Sequence, residues 1–407
     1  MARLPQERSA EGAWVHTADG RRLVNCGAYG VLTLGARHPA VVAAVSGQIE
    51  RLPIGSRTLP HAHDSEAREQ LASTLPTPLA EVAFAVTGAE AIELALRLVR
   101  LNRCTRLISC TGGFHGRTLG ALSINGTERL RQPYEPLLDG VEIVAYDDID
   151  ALDRALAGGP GRAAVILEPV QGEAGVIIPC PGYLAAAAER CAAHRALLVV
   201  DEVQTGLGRL GHWWGIERDG VVPDIVVAGK ALGGGVLPVS AIVASPEVFR
   251  PFRLDPRQAA STFSGYPLGA VAVSATIATM RRERTVETAQ RTGATVAGLL
   301  ARATTAAVED GTIRDVRGLG LLHGVEFPHP QAATVFADAL LDGAVICSYS
   351  SASSTTVRLT PPALLDDEAV AILDEALEHA VEAVREYAAR RDRRRARATT
   401  TRQAVMP

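Results

Sequence analysis

Lysine is almost missing from this chain of 407 residues. Lysine and arginine together number 41, and because Lys230 is the one lysine in the sequence, the other 40 are arginines. Arginine can supply a positive charge, but a guanidinium stays protonated and forms no ordinary imine with an aldehyde. Lys230 follows the apolar residues 226–228 and precedes the glycines 233–235. We therefore predict a reactive, partly buried amine at a strand end. The alternative is a solitary surface lysine that survived by chance.

Long apolar runs and a strong charge imbalance are also missing. No stretch approaches the roughly 18 uninterrupted apolar residues of a transmembrane helix, and residues 1–11 lack the apolar segment of a signal peptide. The formal net charge of −4 favours neither a nucleic-acid partner nor a polyacidic one. These absences predict a cytoplasmic protein with no nucleic acid and no membrane among its partners.

The sequence has six cysteines and no C-x-x-C pair, so we expect reduced thiols that are mostly small core residues. Among the histidines, His61 and His63 have the spacing of a possible metal pair. No cysteine lies near them in the sequence, so no metal site is expected.

The apolar pattern predicts an α/β fold. A chain of this length can bury two cores, and residues from about 40 to 280 alternate short apolar runs with helical patterns, as in a mainly parallel sheet. After about residue 283 the pattern changes to a long helix, an α+β portion and a terminal helix. The expected elements of the first part are the strands Val82–Val86, Arg106–Ser109, Ala163–Leu167, Ala196–Val200 and Asp224–Ala228 and the helices Glu90–Leu101 and Tyr183–His194.

One turn in this pattern has the features of an anion site. The segment Thr87–Ala91 follows an apolar strand and opens an amphipathic helix, with Gly88 at the junction. A glycine there lets backbone N–H groups approach a phosphate, and the positive end of the helix dipole favours an anion. The alternative is a glycine that only serves the geometry of the turn.

A carboxylate follows another buried strand. Asp201 comes directly after the run Leu198–Val200, where it is costly unless it has a cationic or hydrogen-bonding partner. Lys230 lies 29 residues further on, enough for one more helix and strand, so both residues are expected at the carboxyl ends of strands, where open α/β sheets bind ligands. A helix-capping role for Asp201 is the alternative.

An ordered series of motifs carries a family resemblance. The sequence resembles the class III aminotransferases, which depend on pyridoxal 5′-phosphate (PLP) and include acetylornithine, ornithine, GABA and many ω-amino acid aminotransferases. The resemblance extends from about Trp14 to Ala388. Its motifs are Leu34–Pro39, Thr87–Ala91, Phe114–Thr118, Glu168–Glu173, Asp201–Gly206, Pro223–Asp224, Lys230, Ser261–Phe263, Val316–Gly320 and Val357–Leu359.

The resemblance implies a fold-type I architecture. Its large domain would have a mainly parallel sheet of the seven-stranded type, and both termini would form a smaller α+β domain. The expected limits are 1–40 for the N-terminal part of the small domain, 41–282 for the large PLP-binding domain and 283–390 for the C-terminal part. The Arg-rich residues 391–407 are expected to be disordered; a nucleic-acid tail is the alternative.

The resemblance also implies the cofactor contacts. Lys230 is expected to carry PLP as a Schiff base and to act as the acid–base catalyst of the 1,3-proton shift. Asp201 would hold the pyridine nitrogen, which keeps the ring electron-accepting. Phe114 and Val203 would stack on the ring, Gln204 would hydrogen-bond near the ring hydroxyl, and His115 would also bind the cofactor. Gly88 and Ala89 would give backbone donors to the phosphate. Thr262 would reach the phosphate of a second subunit. A homodimer with shared active sites follows.

Three residues carry the substrate information. By the resemblance, Arg358 pairs with the substrate α-carboxylate, Glu173 pairs with Arg358 when an amine remote from the carboxylate enters first, and Tyr29 lines the pocket. A surface ion pair is the alternative role for Arg358. The sequence departs from the family at 56–61, which lacks an aromatic residue, and at the hydroxyl-rich run 348–356.

The predicted activity is transamination between an amine donor, such as glutamate or an ω-amine, and a keto acid, ketone or aldehyde. The departures make a dedicated biosynthetic pathway, with a free, carrier-bound or peptidyl acceptor, at least as strong a hypothesis as plain ornithine or acetylornithine metabolism. The alternatives are another PLP reaction on the same fold, either an aminomutase or a decarboxylase, and a non-catalytic scaffold.

Overall fold

The computed structural model describes residues 4–56 and 58–403, in which the chain forms fifteen strands and twelve α-helices. The strands are β1 (Glu7–Glu11), β2 (Trp14–Thr17), β3 (Arg22–Asn25), β4 (Glu81–Ala85), β5 (Cys104–Cys110), β6 (Val141–Val144), β7 (Arg162–Leu167), β8 (Leu197–Asp201), β9 (Ile225–Ala228), β10 (Ser240–Ala244), β11 (Asp315–Leu319), β12 (Leu322–Glu326), β13 (Val345–Ile346), β14 (Ser348–Tyr349) and β15 (Thr356–Leu359). The helices are α1 (Pro39–Ile49), α2 (Ala62–Ala72), α3 (Gly88–Leu101), α4 (Leu119–Ser123), α5 (Glu128–Arg131), α6 (Ile149–Ala157), α7 (Tyr183–Ala193), α8 (Pro246–Leu254), α9 (Pro267–Arg282), α10 (Thr285–Glu309), α11 (Pro330–Asp342) and α12 (Asp367–Gln403).

The central sheet has seven strands in the order β4-β10-β9-β8-β7-β5-β6. Strands β5 to β9 pair in parallel, whereas β10 runs antiparallel to both β4 and β9. The expected mainly parallel α/β sheet is therefore confirmed. The five strands expected from the sequence correspond to β4, β5, β7, β8 and β9, with ends that differ by one or two residues.

Both faces of this sheet are buried. Along β9, Val226 and Ala228 belong to one hydrophobic cluster, and Ile225 and Val227 belong to another. Because successive side chains of a strand point to opposite faces, each face has its own covering layer of helices. This burial explains why the strands are continuous apolar runs rather than alternating ones.

A second core brings the two ends of the chain together. Its cluster contains residues from 13–26 and from 296–384, including Val24 and Val345, which lie opposite each other in the parallel pair of β3 and β13. Two four-stranded sheets surround it, in the orders β1-β2-β3-β13 and β11-β12-β15-β14. The proposed limits 1–40, 41–282 and 283–390 stay a prediction that this division of the hydrophobic clusters supports.

The terminal helix differs from expectation. Helix α12 continues through the Arg-rich segment to Gln403, where the sequence predicts a disordered tail that starts at 391. Arginine and alanine are good helix formers, so this segment can continue the helix that precedes it. Residues 404–407 of the predicted tail lie outside the described part of the chain, as does Arg57 in the departing stretch 56–61. Among the described helices, none is long and apolar enough to cross a bilayer.

Candidate active site

A cavity of about 220 Å³ lies where the carboxyl ends of the central strands meet. Its lining residues lie at or just after the ends of strands β4, β5, β7, β8 and β9. They come together because the carboxyl ends of parallel strands share one edge of a sheet. Nine of the twelve site residues predicted from the sequence line this cavity, namely Gly88, Ala89, Phe114, His115, Glu173, Asp201, Val203, Gln204 and Lys230.

Lys230 lies two residues beyond the end of β9, at the start of a short 3₁₀ turn. Its φ of 43° is in the left-handed region, an uncommon conformation for a lysine and one that is found at functional sites. Burial lowers the pKa of its amine, and the positive charge of Arg358 also lowers it, against the opposing charge of Glu173. A lowered pKa leaves more of the amine neutral and nucleophilic.

Asp201 ends β8 and lies on the cavity wall beside His115. The ring of His115 donates from Nδ1 to Oδ2 of Asp201 at 2.8 Å, and the backbone N–H of Val203 donates to Oδ1 at 3.0 Å. Burial disfavours the imidazolium, but the hydrogen bond to Asp201 and the charge of Asp201 outweigh burial and raise the pKa of His115. His115 therefore holds the buried carboxylate of Asp201 in one orientation.

The start of α3 lines the same cavity and has the features of an anion site. Gly88 and Ala89 are the first two residues of α3, where backbone N–H groups have no acceptor within the helix. Thr87 and Glu90 form a capping box that fixes this helix start, and Ser240 donates to the carbonyl of Thr87 at 2.7 Å. A Cβ at Gly88 would lie 2.9 Å from Cγ1 of Val203, so a glycine is required for this close approach.

A buried ion pair lies beside the cavity. Nη1 of Arg358 donates to Oε1 of Glu173 at 2.6 Å and to Oε1 of Gln204 at 3.4 Å. The guanidinium carbon lies 5.6 Å from the ring centre of Tyr29, and Nε2 of Gln204 donates to the carbonyl of Tyr29 at 3.3 Å. Nη2 of Arg358 is buried without a hydrogen-bond partner among the described residues. Arg358 is fully buried, which is inconsistent with a surface ion pair.

Thr262 is not brought to this cavity within one chain. It lines a separate pocket with His61 and Asp64 near the N-terminus of α9. The expectation that it contacts the cofactor phosphate of a second subunit therefore stays a prediction. Among the described residues, no cluster of three or more histidine, cysteine, aspartate or glutamate side chains could hold a metal ion.

Sequence reasoning assigned no role to two cavity residues, although both lie in the family motifs, nor to one neighbour of the ion pair. Glu168 and Gly116 line the cavity, and Oε1 of Glu168 accepts from the backbone N–H of Phe114 at 2.9 Å. Burial raises the pKa of Glu168 to about 8. Its position directly after β7 was the signal that could have identified it. Ser351, in the hydroxyl-rich run, donates from Oγ to Oε2 of Glu173 at 2.6 Å.

The donor set fits PLP. A nucleophilic amine lies at Lys230, an acidic side chain for a pyridinium nitrogen lies at Asp201, and free backbone donors for a phosphate lie at Gly88 and Ala89. Val203 and Phe114 supply apolar surface for a ring within the same cavity. All these groups meet in one space.

Comparisons with known proteins agree with this chemistry. The family model "Aminotransferase class-III" matches residues 4–381. The acetylornithine aminotransferase of Methanopyrus kandleri is 40% identical over 377 residues, which cover 92% of this chain and 93% of the relative. The ornithine aminotransferase of Brevibacillus brevis is 36% identical, with 88% and 89% covered.

Solved structures show the same relationship. The crystal structure of the ornithine aminotransferase from Toxoplasma gondii ME49 superposes with a TM-score of 0.88 at 31% identity, covering 95% of this chain and 92% of the other. A transaminase from the marine bacterium Virgibacillus superposes with a TM-score of 0.86 at 26% identity, with 95% and 94% covered. The resemblance expected from the motifs is confirmed, and the chain belongs to the class III aminotransferases, a family of PLP-dependent enzymes.

Proposed function

We propose that this enzyme transfers an amino group from a donor whose reacting amine lies away from its α-carboxylate to 2-oxoglutarate. The donor belongs to the class of ornithine and its Nα-acetyl derivative. The observation that carries the proposal is the buried pair of Glu173 and Arg358, which can offer the pocket either a masked or an exposed positive charge. The relatives named as acetylornithine and ornithine aminotransferases support the same donor class.

Bound PLP supplies an aldehyde that accepts the amino group and a ring that withdraws electrons from the substrate carbon. Lys230 holds the cofactor through its amine. The neutral amine of Lys230, once free, would carry the proton between the substrate carbon and the cofactor. The lowered pKa of Lys230 suits this role, because a base must be neutral to accept the proton.

Asp201 and the start of α3 would both hold the cofactor, since they line the same cavity. Asp201 would pair with the ring nitrogen, and the hydrogen bond from His115 holds its carboxylate in place. Gly88 and Ala89 donate their backbone N–H groups to the phosphate. Phe114, Val203 and Gln204 line the same cavity; the first two would pack against the ring, and Gln204 would hydrogen-bond near its hydroxyl.

The ion pair selects between the two substrates. While Glu173 neutralises Arg358, the pocket favours an amine remote from a carboxylate. When the pair opens, Arg358 can bind a carboxylate of 2-oxoglutarate in the bidentate geometry that guanidinium favours. Tyr29, with its ring near the guanidinium of Arg358, contacts the substrate at the mouth of the site.

A half-reaction screen tests the proposal. The PLP form of the enzyme is mixed with ornithine, N-acetylornithine, GABA or glutamate in single turnover, and the loss of the pyridoxal absorbance is followed. We expect an ω-amine donor to bleach it with one equivalent of carbonyl product. Release of carbon dioxide or migration of the amine within the substrate would contradict transamination and support a decarboxylase or an aminomutase. An enzyme preparation without bound PLP would support the scaffold alternative.

We also propose a homodimer with shared sites, in which Thr262 contacts the cofactor phosphate of the other subunit. A mixture of Lys230→Ala and Thr262→Val subunits tests it, because a heterodimer then contains one site with both native residues. Recovery of activity in the mixture is expected, up to about a quarter of wild type for random assembly. If Thr262 serves its own subunit, the mixture stays as inactive as the average of its parents.

A dedicated biosynthetic pathway, a carrier-bound or peptidyl acceptor and a cytoplasmic location stay predictions. The hydroxyl-rich run 348–356 lies against the substrate side of the site, at Glu173, which is consistent with an unusual substrate. Comparing free and peptide-linked aldehydes as acceptors would show whether the pocket admits a bulky group.

A further inference from the structure

The carboxylate of Glu173 has a second anchor besides Arg358. Its Oε1 accepts from Arg358, whereas its Oε2 accepts from both the backbone N–H of Ser351 at 2.9 Å and the hydroxyl of Ser351 at 2.6 Å. The two anchors therefore bind different oxygens of one buried carboxylate. One can be released while the other stays in place.

The loop that carries Ser351 is fixed independently of this hydroxyl. The backbone N–H of Ala352 donates to the carbonyl of Glu173 at 3.0 Å, the hydroxyl of Ser350 donates to the carbonyl of Gly172 at 3.4 Å, and Arg129 donates to the carbonyl of Ser351 at 3.0 Å. Removing the Ser351 hydroxyl should therefore leave the loop in position. The effect of that change then reports on Glu173 rather than on loop folding.

An open ion pair would leave a buried carboxylate without its cation. Glu173 is 7% exposed, and a buried charge without hydrogen-bond partners is strongly disfavoured. Ser351 supplies two donors that stay available after Arg358 has turned to a substrate. The hydroxyl thereby lowers the cost of opening the pair, because hydrogen bonds to an uncompensated carboxylate are stronger than those to a neutralised one.

We infer that Ser351 is a positioning residue that holds Glu173 when Arg358 is released, and that it thereby favours the half-reaction with the dicarboxylate substrate. The inference rests on the proposed function. It extends that proposal by placing a specificity determinant in the loop between β14 and β15, on a residue that never has to touch the substrate.

Binding of glutarate to the PLP form of the enzyme tests it, since glutarate has the two carboxylates of 2-oxoglutarate but no carbonyl that could react. In Ser351→Ala we expect about three- to tenfold weaker glutarate binding by calorimetry. The KM for 2-oxoglutarate should rise by a similar factor with kcat nearly unchanged, and the single-turnover rate with the ω-amine donor should stay within about twofold of wild type. Ser351→Thr keeps the hydroxyl and should restore glutarate binding.

Ser354→Ala is the matched control, because Ser354 is exposed in the same loop and should leave both half-reactions unchanged. Equal or tighter glutarate binding in Ser351→Ala would overturn the inference, as would an equal loss in both half-reactions. Failure of the proposed function looks different: the wild-type enzyme would then fail to react with every ω-amine donor, whatever the variants do with glutarate.

Discussion

Arg358 and Glu173 are 185 residues apart in the sequence, and they meet in a buried contact of 2.6 Å beside the cavity that holds Lys230. A buried ion pair is weak evidence for stability, because desolvation of two charges can exceed their attraction. Its place beside the reactive amine is the reason why we propose a role in substrate selection. The charge of Glu173 also reaches Lys230, whose pKa it raises against the effect of burial.

Glu173→Gln keeps the shape of the side chain but removes the charge that neutralises Arg358. Arg358 should then bind the α-carboxylate of ordinary amino acids, so donor preference should move from an ω-amine towards glutamate. We expect the ratio of kcat/KM for the two donors to change at least about tenfold, which is 1.4 kcal/mol. Single-turnover kinetics with each donor give the ratio. An unchanged ratio would mean that the pair has no role in selecting the donor.

Lys230→Arg preserves the positive charge and removes the reactive amine. PLP should then bind without a covalent link, and the transamination rate should fall at least about 10³-fold, since both the nucleophile and the proton carrier are lost. Borohydride treatment followed by mass spectrometry measures the covalent link. A variant with the wild-type circular dichroism spectrum but no PLP label at residue 230 is the expected result; a labelled, active variant would place the chemistry elsewhere.

Much of the central sheet could be predicted, because its buried strands are visible as apolar runs in the local sequence. The strands β7, β8 and β9 are apolar runs, since both faces of the sheet are covered. Asp201 and Lys230 were proposed as site residues because they follow such runs, and Lys230 also because it is the one lysine of the sequence. Gly88 was proposed as a phosphate site because it lies where an apolar strand meets an amphipathic helix.

The parts that could not be predicted depend on contacts between distant segments. Strand β13 has two residues, and Val345 pairs with the distant Val24. No local sequence pattern predicts such a pairing. Ser351 reaches Glu173 across 178 residues of sequence, so the hydroxyl-rich run was noticed without its role. For the Arg-rich end of the chain the sequence predicts disorder, because charge runs are more often solvated than ordered, whereas α12 continues to Gln403.

Lys230 should react with PLP at a lower pH than a free lysine. Burial lowers the pKa of its amine below the ordinary 10.5, so the neutral, nucleophilic form is populated at lower pH. The rate of PLP incorporation into the apoenzyme should therefore reach half its maximum below pH 10.5. Stopped-flow absorbance against pH measures it, with a lysine derivative in solution as control. A midpoint at or above that of the control would show that the amine is solvated.

Asp201→Asn should lower the pKa of His115, so that the ring is neutral over a wider range of pH. In the wild type, the hydrogen bond and charge of Asp201 outweigh burial and keep the pKa of His115 above 6.5. Without the carboxylate the desolvation effect dominates, so the pKa should fall below 6.5. Selective ¹³C labelling of histidine with NMR titration follows the ring, and His115→Gln identifies its signal. If the His115 signal titrates at the same pH in both proteins, the pair is not ionic in solution.

Arg209 should contribute to stability by joining three segments of the chain. It is fully buried and donates to the carbonyl of Leu321 at 3.1 Å, of Pro361 at 2.6 Å and of Gly30 at 3.2 Å. Arg209→Met leaves these acceptors without their donor, which should cost about 2–4 kcal/mol even after the relief of burying a charge.

Urea unfolding of the apoenzyme measures the loss caused by Arg209→Met, with Arg302→Met as the matched control. Arg302 forms an exposed pair with Asp374, and such a pair is worth no more than about 1 kcal/mol because water screens it. The contrast between the two variants separates buried hydrogen bonding from surface charge. Equal and small losses in both would show that the segments around Gly30, Leu321 and Pro361 hold together without Arg209.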